Sequence, residues 1–138
     1  MGFLLDFDSK NNILRVTLEG GVTDAIVLEC YAAIAKRVAL RPCRVILSFS
    51  GATEFQVSSV TVRHLAEVAP AVPAGYMRVC VCPQDFIYGM ARMFQMLGEA
   101  TRPDLRVVRT MDEAYSVLGV KSPEFVLVTK AELGADSL

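Results

Sequence analysis

The segment RVILSFSGATEFQVSSVTVRHL, residues 44–65, predicts a strand, a connecting loop and a helix in direct succession. Its first part, Val45 to Phe49, is short, β-branched and almost entirely apolar, which is typical of a strand buried on both faces of a parallel sheet. Ser50-Gly51 then predicts the end of that strand. Ser58 is a favoured N-cap residue, so we expect the helix to begin directly after it. This segment indicates an α/β fold.

The amino end of this helix is the first place where we expect a site. A helix that folds back over a parallel sheet begins near the carboxyl end of the preceding strand, and sites in open α/β sheets form at that edge. The free backbone N–H groups and the positive dipole end there suit an anion or a phosphoryl group. We therefore expect Ser58 at the working surface, with Ser59 as a second candidate phosphoacceptor, although an N-cap role alone would also explain Ser58.

The rest of the chain repeats this alternation of strands and helices. Apolar runs around a turn-forming segment at 8–12 predict an opening β-hairpin, whose second strand we expect to stop at Gly20-Gly21. Further helices are predicted from Thr23 or Asp24 to about Val38, over residues 86–97 and over residues 111–118, with strands over 76–82 and 105–109. The predicted order is β-β-α-β-α-β-α-β-α, an α/β fold with a mixed, mostly parallel sheet.

Residues 1–120 account for one domain of this kind, and residues 121–138 form a C-terminal tail beyond the last strand–helix unit. Within the tail, the segment 125–128 is apolar and strand-like. It is expected to pack on the same domain, to add an edge strand, or to pair with a second copy of the chain.

Composition excludes several classes of function. The chain has 138 residues, 53% of them hydrophobic, and a formal net charge of −1. This balance offers no general attraction to nucleic acid or to an anionic membrane. Charged residues interrupt every long apolar run, and acidic residues come too early for a signal peptide, so we expect no membrane span and a cytoplasmic location.

Four cysteines and one histidine do not form a recognisable catalytic or metal-binding pattern. Cys80 and Cys82 would lie on the same face of a strand, too far apart for a redox C-x-x-C turn. His64 follows Ser58 by six residues, a rotation of roughly 240° on one helix, so the two cannot act as nucleophile and base. We expect buried, reduced cysteines, no metal, no cofactor and no enzymatic activity.

The helix over residues 86–97 carries an unusual methionine-rich stripe. Met90, Met93 and Phe94 are predicted to belong partly to the core and partly to an adaptable apolar groove for a ligand or a second copy of the chain. Arg78 and Arg92 are candidates for a small anion site, although a solvated surface is the commoner place for such arginines.

Several segments, taken together, resemble the STAS domain, which occurs in bacterial anti-sigma-factor antagonists and in the C-terminal regions of sulfate transporters. The resemblance covers nearly all of residues 3–120 and is carried by residues 18–23, 45–55, 74–82, 93–98 and 105–114, in that order. It implies a STAS-like fold and a non-enzymatic regulatory module that binds another protein.

In antagonists of that family the loop–helix junction reads Asp-Ser-Ser-Gly or Asp-Ser-Thr-Gly, and a partner kinase phosphorylates the serine after the aspartate, which dissociates the pair. Here the junction is Val57-Ser58-Ser59-Val60, so the resemblance places the phosphoacceptor at Ser58, with valines where the aspartate and the glycine would stand. The implied partner is an anti-sigma factor or a serine kinase. The expected partner surface comprises Thr23, Asp24, Phe55, Gln56, Val57, Ser58, Val60 and Val62.

A different function remains open at this point. An apolar pocket beside the methionine-rich helix would suit a small molecule or a lipid. The sequence therefore leaves two hypotheses, a protein-interaction module and a ligand-binding domain.

Overall fold

A computed structural model describes residues 2–128 and contains six strands and four helices. In chain order they are β1 (Phe3–Asp8), β2 (Ile13–Thr23), α1 (Asp24–Leu40), β3 (Arg44–Gln56), α2 (Ser59–Glu67), β4 (Arg78–Val81), α3 (Asp85–Leu97), β5 (Leu105–Val108), α4 (Met111–Leu118) and β6 (Val126–Leu127). The predicted element order is confirmed, and β6 follows it.

The strands form one mixed sheet in the order β5-β4-β3-β2-β1-β6. Strands β2, β3, β4 and β5 run parallel to one another, whereas β1 pairs antiparallel with both β2 and β6. The parallel centre follows from the helices between its strands, because a helical crossover returns the chain in the same direction. Strand β6 lies at the edge, in the tail that begins at residue 121; the remainder of that tail, 129–138, lies outside the described residues.

Two predicted strand ends were wrong. Strand β2 continues through Gly20-Gly21 and β3 continues through Ser50-Gly51, and the two stay paired as far as Thr23 and Gln56. Register shifts between residues 17 and 19 and between 20 and 21 absorb the irregular backbone. Gly20 has φ 72°, a left-handed conformation that favours glycine. These glycines therefore mark bulges inside a long strand pair and not strand ends.

Helix boundaries agree with the capping residues in the sequence. Ser58 caps α2, because its Oγ accepts a hydrogen bond of 3.2 Å from the Thr61 N–H. Thr110 and Glu113 form a reciprocal capping box at α4, which ends at Gly119 with φ 70°. Caps depend on residues three or four positions apart, which is why the sequence alone could locate them.

The sheet has two covered faces. Along β3, Val45 and Phe49 point to one side, where they pack in clusters with α1, α2 and α3, a side that we call the three-helix face. Ile46 points to the other side, the α4 face, and packs there with Ala114 and Leu118. This alternation is the period of two expected for a strand. Both faces are therefore buried, as the apolar run in β3 predicted.

Candidate functional site

Ser58 lies at the carboxyl edge of the parallel strands, where the sequence predicted a site. Strand β3 ends at Gln56 and α2 begins at Ser59, so Ser58 is exposed at the amino end of the helix. Its hydroxyl oxygen accepts from Thr61 and donates its own proton elsewhere. The arrangement leaves a serine side chain within reach of solvent at the positive end of a helix dipole.

The acceptor of the Ser58 proton is Asp24, the first residue of α1. Asp24 Oδ1 accepts from the Ser58 backbone N–H at 2.8 Å, and Oδ2 accepts from the Ser58 hydroxyl at 3.1 Å. The bond from the Ser58 N–H is the main reason that the pKa of Asp24 lies below its ordinary value. Burial opposes this effect, and the hydroxyls of Ser58 and Thr61 lower the pKa further. Ser58 thus has a carboxylate partner, although Val57 stands directly before it.

The meeting of Asp24 and Ser58 follows from the sheet register. Thr23 pairs with Gln56 at the ends of neighbouring parallel strands, so the residues that come next in each chain segment leave the sheet side by side. The sequence shows each residue as a helix cap but not their contact, because they are 34 positions apart. Only a correct prediction of the β2–β3 register would have revealed this contact from the sequence.

The other predicted partner-surface residues divide into an exposed and a buried group. Gln56, Ser59 and Val60 are exposed, and Val60 exposes 74% of its surface. Thr23, Asp24 and Phe55 are half-buried. Val57 and Val62 are buried in the core of the three-helix face, so they support this surface from beneath.

An aromatic contact extends the same edge toward α3. Phe55 packs edge-on against Phe86 with ring centroids 5.9 Å apart, and equally against the buried Phe49. Phe86, in the first turn of α3, is 64% exposed. The apolar periodicity of this helix did not predict that Phe86 would be exposed. The edge therefore presents Val60 and Phe86, two large apolar side chains that water does not favour.

A second feature is an apolar cavity of about 160 Å³ between the three-helix face and its helices. Met90 and Phe94 line it, as does Ala91. Met93 is half-buried in the same cluster but does not line the cavity. The methionine-rich stripe thus contributes to a cavity and to the core together.

Three polar side chains also line the cavity: Tyr31, Arg102 and Arg78. The Tyr31 hydroxyl donates to the Ala69 carbonyl. Arg102 is 3% exposed and donates to the carbonyls of Leu65, Ala66 and Val68 at 2.8–3.1 Å, at the carboxyl end of α2. A cation at that end is favoured by the helix dipole, so Arg102 is well satisfied without a carboxylate.

Arg78 differs from these two. Its Nε is buried and has no hydrogen-bond partner within residues 2–128. Neither of the two ion pairs formed among those residues involves it. Burial is the main reason that the pKa of Arg78 is lowered; nearby Arg102 lowers it further, and Cys80 and Asp104 act in the opposite direction. Of the predicted anion-site pair, Arg92 is instead exposed and donates to Gln95 Oε1.

The remaining candidate residues from the sequence are the four cysteines and His64. All four cysteines are buried and free, and burial raises the pKa of Cys30 and of Cys80 to about 12, which makes these thiols unreactive at neutral pH. His64 is exposed on α2. Within residues 2–128 no three acidic, histidine or cysteine side chains are grouped so as to hold a metal ion.

Among residues 2–128, no helix is both long enough and apolar enough to cross a membrane. The chain matches no protein-family model and none of the curated proteins against which it was compared.

Proposed function

We propose that this chain is a non-enzymatic regulatory module of the STAS type that binds another protein through the edge around Ser58. The single observation that supports this most is the pair of hydrogen bonds between Asp24 and Ser58. An exposed serine at a helix start, held by a carboxylate from a neighbouring helix, is suited to a switch that changes with phosphorylation.

The carboxylate has a chemical role in this proposal. Asp24 Oδ2 accepts the hydroxyl proton of Ser58, and so it holds the oxygen in one orientation. In the family that the sequence resembles, an aspartate stands directly before the serine. Here Asp24 is proposed to replace it from α1.

Phosphorylation at Ser58 would reverse that contact. A phosphoserine carries a charge of about −1.5 to −2 at neutral pH. Next to the Asp24 carboxylate this charge is repelled, and both Asp24–Ser58 hydrogen bonds would be lost. The expected consequence is a rearranged start of α2 and release of the partner.

The apolar side chains at this edge supply the rest of the proposed contact. Val60 is exposed in the first turn of α2, directly after the Ser58 cap, and Phe86 is exposed in the first turn of α3, in contact with Phe55. Aromatic residues at the centre of an interface contribute disproportionately to binding energy. We propose an anti-sigma factor or a serine kinase as the partner, a cytoplasmic location, and no nucleic acid or cofactor. A homodimer is a further proposal, which sedimentation equilibrium would test.

The experiment uses a serine kinase or an anti-sigma factor encoded beside this chain. Binding to the unmodified protein is measured by calorimetry, and modification is located by mass spectrometry. We expect phosphate on Ser58, or on Ser59, and loss of binding after modification. Ser58→Ala should retain binding but escape the switch, whereas Ser58→Asp should weaken binding.

Two matched variants make the test specific to this edge. Val60→Ser removes an exposed apolar side chain beside Ser58 and should weaken binding at least tenfold if it lies in the contact. Val117→Ser makes the same change on α4, where Val117 is 39% exposed, and should leave binding unchanged. Equal effects of the two substitutions would contradict the proposed surface.

The cavity supports a second candidate function, the binding of a small molecule or a single lipid chain. Its volume of about 160 Å³ and its lining by Met90 and Phe94 are the observations that favour this. An engineered cavity of roughly 150 Å³ in another protein stays dry and binds benzene. Native mass spectrometry of the protein as purified would reveal a retained ligand.

A further inference from the structure

The cavity on the three-helix face combines an apolar wall with one arginine, Arg78, whose buried Nε has no hydrogen-bond partner in the described part of the chain. Cysteine, methionine and aliphatic side chains make up most of the wall, and Arg78 lies at the amino end of the parallel strands, beside Val45 and Leu105 in the register. Arg78 is partly exposed, so this end of the cavity communicates with solvent. A ligand could enter there with its polar group last.

Three buried side-chain atoms within residues 2–128 have no hydrogen-bond partner: Asn12 Oδ1, Gln84 Oε1 and Arg78 Nε. The first two belong to neutral amides whose nitrogens are already bonded, to Pro42 and to Phe49 and Ala52. The third belongs to a charged group. A missing hydrogen bond at a buried atom of a charged group costs more than one at a lone amide oxygen, so Arg78 Nε is the position where a ligand would bring the largest gain.

The charges around Arg78 select the kind of head group. Arg102 lies near enough to lower its pKa, and Asp104 near enough to oppose that effect. Arg102 is occupied by three carbonyls, and the Asp104 carboxylate accepts from the Gly75 N–H at 3.0 Å. Two cations and one anion leave a net charge of +1. A monoanion balances this charge, whereas a dianionic phosphate would exceed it.

The volume of the cavity limits the size of the apolar part of the ligand. A cavity of roughly 150 Å³ holds benzene, which has six carbon atoms, so this one suits an apolar group of about that size. A planar carboxylate matches the fork of a guanidinium better than other monoanions do. We propose that the cavity binds an apolar monocarboxylate, with the carboxylate at Arg78 and the tail between Met90 and Phe94. This deepens the second candidate function and is independent of the Ser58 surface.

The test uses hexanoate and 1-hexanol as probes, which share a six-carbon chain and differ in the head group. Each is titrated into the full chain at neutral pH by calorimetry. We expect hexanoate to bind at least about tenfold more tightly than 1-hexanol, because only the carboxylate forms a charge-assisted hydrogen bond with Arg78.

Three variants test whether Arg78 and the cavity are responsible for the binding of the probes. Arg78→Gln should reduce hexanoate affinity to that of 1-hexanol and leave 1-hexanol unchanged. Arg92→Gln, a matched substitution on the exposed side of α3, should alter neither. Ala91→Phe fills the cavity from α3 and should abolish binding of both probes. Circular dichroism and thermal unfolding establish that each variant is folded.

The outcomes distinguish the carboxylate assignment from the more general proposal that the cavity binds a ligand. Equal affinities for both probes, unaffected by Arg78→Gln but lost in Ala91→Phe, would overturn the carboxylate assignment and retain a ligand-binding cavity. Failure of both probes to bind at 10 millimolar, roughly the weakest affinity expected for ligands of this size, would overturn the carboxylate assignment and the ligand-binding function together.

Discussion

Each face of the sheet carries a partly buried arginine, and the two arginines differ in their hydrogen bonding. On the α4 face, Arg15 forms two hydrogen bonds with Asp6, at 3.0 and 2.6 Å, and a third with the Tyr115 hydroxyl at 3.1 Å. Its guanidinium also lies 3.9 Å from the centre of the Phe125 ring. On the three-helix face, the buried Nε of Arg78 has no hydrogen-bond partner among residues 2–128.

The difference appears in the direction of both pKa shifts. The hydrogen bond to Asp6 is the main reason that the pKa of Arg15 is raised, whereas burial is the main reason that the pKa of Arg78 is lowered. A raised pKa means that folding favours the charged form, and a lowered one means that folding opposes it. Arg15 on the α4 face thus has a carboxylate partner, while Arg78 on the three-helix face forms no ion pair among residues 2–128.

The largest effect is expected at Arg102, the satisfied arginine on the three-helix face. Arg102→Met would remove the donors to three carbonyls at the end of α2, and we expect a loss of about 3 kcal/mol in the free energy of unfolding. Urea denaturation followed by circular dichroism measures it. Arg63→Met, at an exposed position of α2, is the control and should change stability little. A loss below about 1 kcal/mol would mean that water replaces these hydrogen bonds.

A smaller loss is expected from breaking the Arg15 cluster. Asp6→Asn leaves Arg15 without its carboxylate, and we expect about 2 kcal/mol of destabilisation. The matched variant is Asp85→Asn, because Asp85 also pairs with an arginine at 2.7 Å but exposes 96% of its side chain. Surface pairs contribute little, so that change should lie within error. Equal losses would show that the surroundings of Arg15 add nothing to its ion pair.

The stability of the fold is also expected to depend on pH, through Asp8 on the α4 face. Asp8 is fully buried and accepts hydrogen bonds from the N–H groups of Asn11 and Glu124, and from the Asn11 side chain. Burial alone would raise its pKa, but the hydrogen bonds outweigh it and the pKa lies below 3.8. The ionised group therefore stabilises the fold above pH 3.8, and this contribution is lost as the pH falls through the lower folded-state pKa.

Asp8→Asn should accordingly cost about 1.5 kcal/mol at pH 7 and less at pH 3. The measurement is the free energy of unfolding of both proteins across that range. A difference that stays constant with pH would contradict a stabilising role of the charge.

At the Ser58 edge the expected change in stability is about 1 kcal/mol. Ser58→Ala removes the cap of α2 and one hydrogen bond to Asp24, whereas Ser59→Ala leaves both in place. Thermal unfolding should show a lower midpoint for the first variant only. Equal midpoints would mean that Ser58 is not needed to hold the start of α2.

Local patterns were sufficient to predict most of the fold. The apolar run in β3, the Ser58 cap and the capping box at Thr110 each depend on a few neighbouring residues, and all three were confirmed. The ends of β2 and β3 were not predictable in this way. Whether Gly20-Gly21 stops a strand or forms a bulge depends on the pairing with a distant strand.

The candidate site was predictable only in part for the same reason. Ser58 could be singled out from its position at a helix start, but its contact with Asp24 joins two helices through the sheet register. Arg78 could be named from the sequence as one of two candidates for an anion site, together with Arg92. That the Arg78 Nε has no hydrogen-bond partner within residues 2–128 depends on all the residues that surround it in the fold, which a local pattern does not reveal.

The most direct test of the difference between the two faces is the free energy of unfolding of Arg78→Met, measured in urea without added ligand. Methionine keeps the length of the side chain and removes the charge, so the account predicts stability equal to the wild type or up to about 1 kcal/mol higher. A loss of 1 kcal/mol or more would contradict the account, because it would show that the Arg78 guanidinium is already satisfied within the fold.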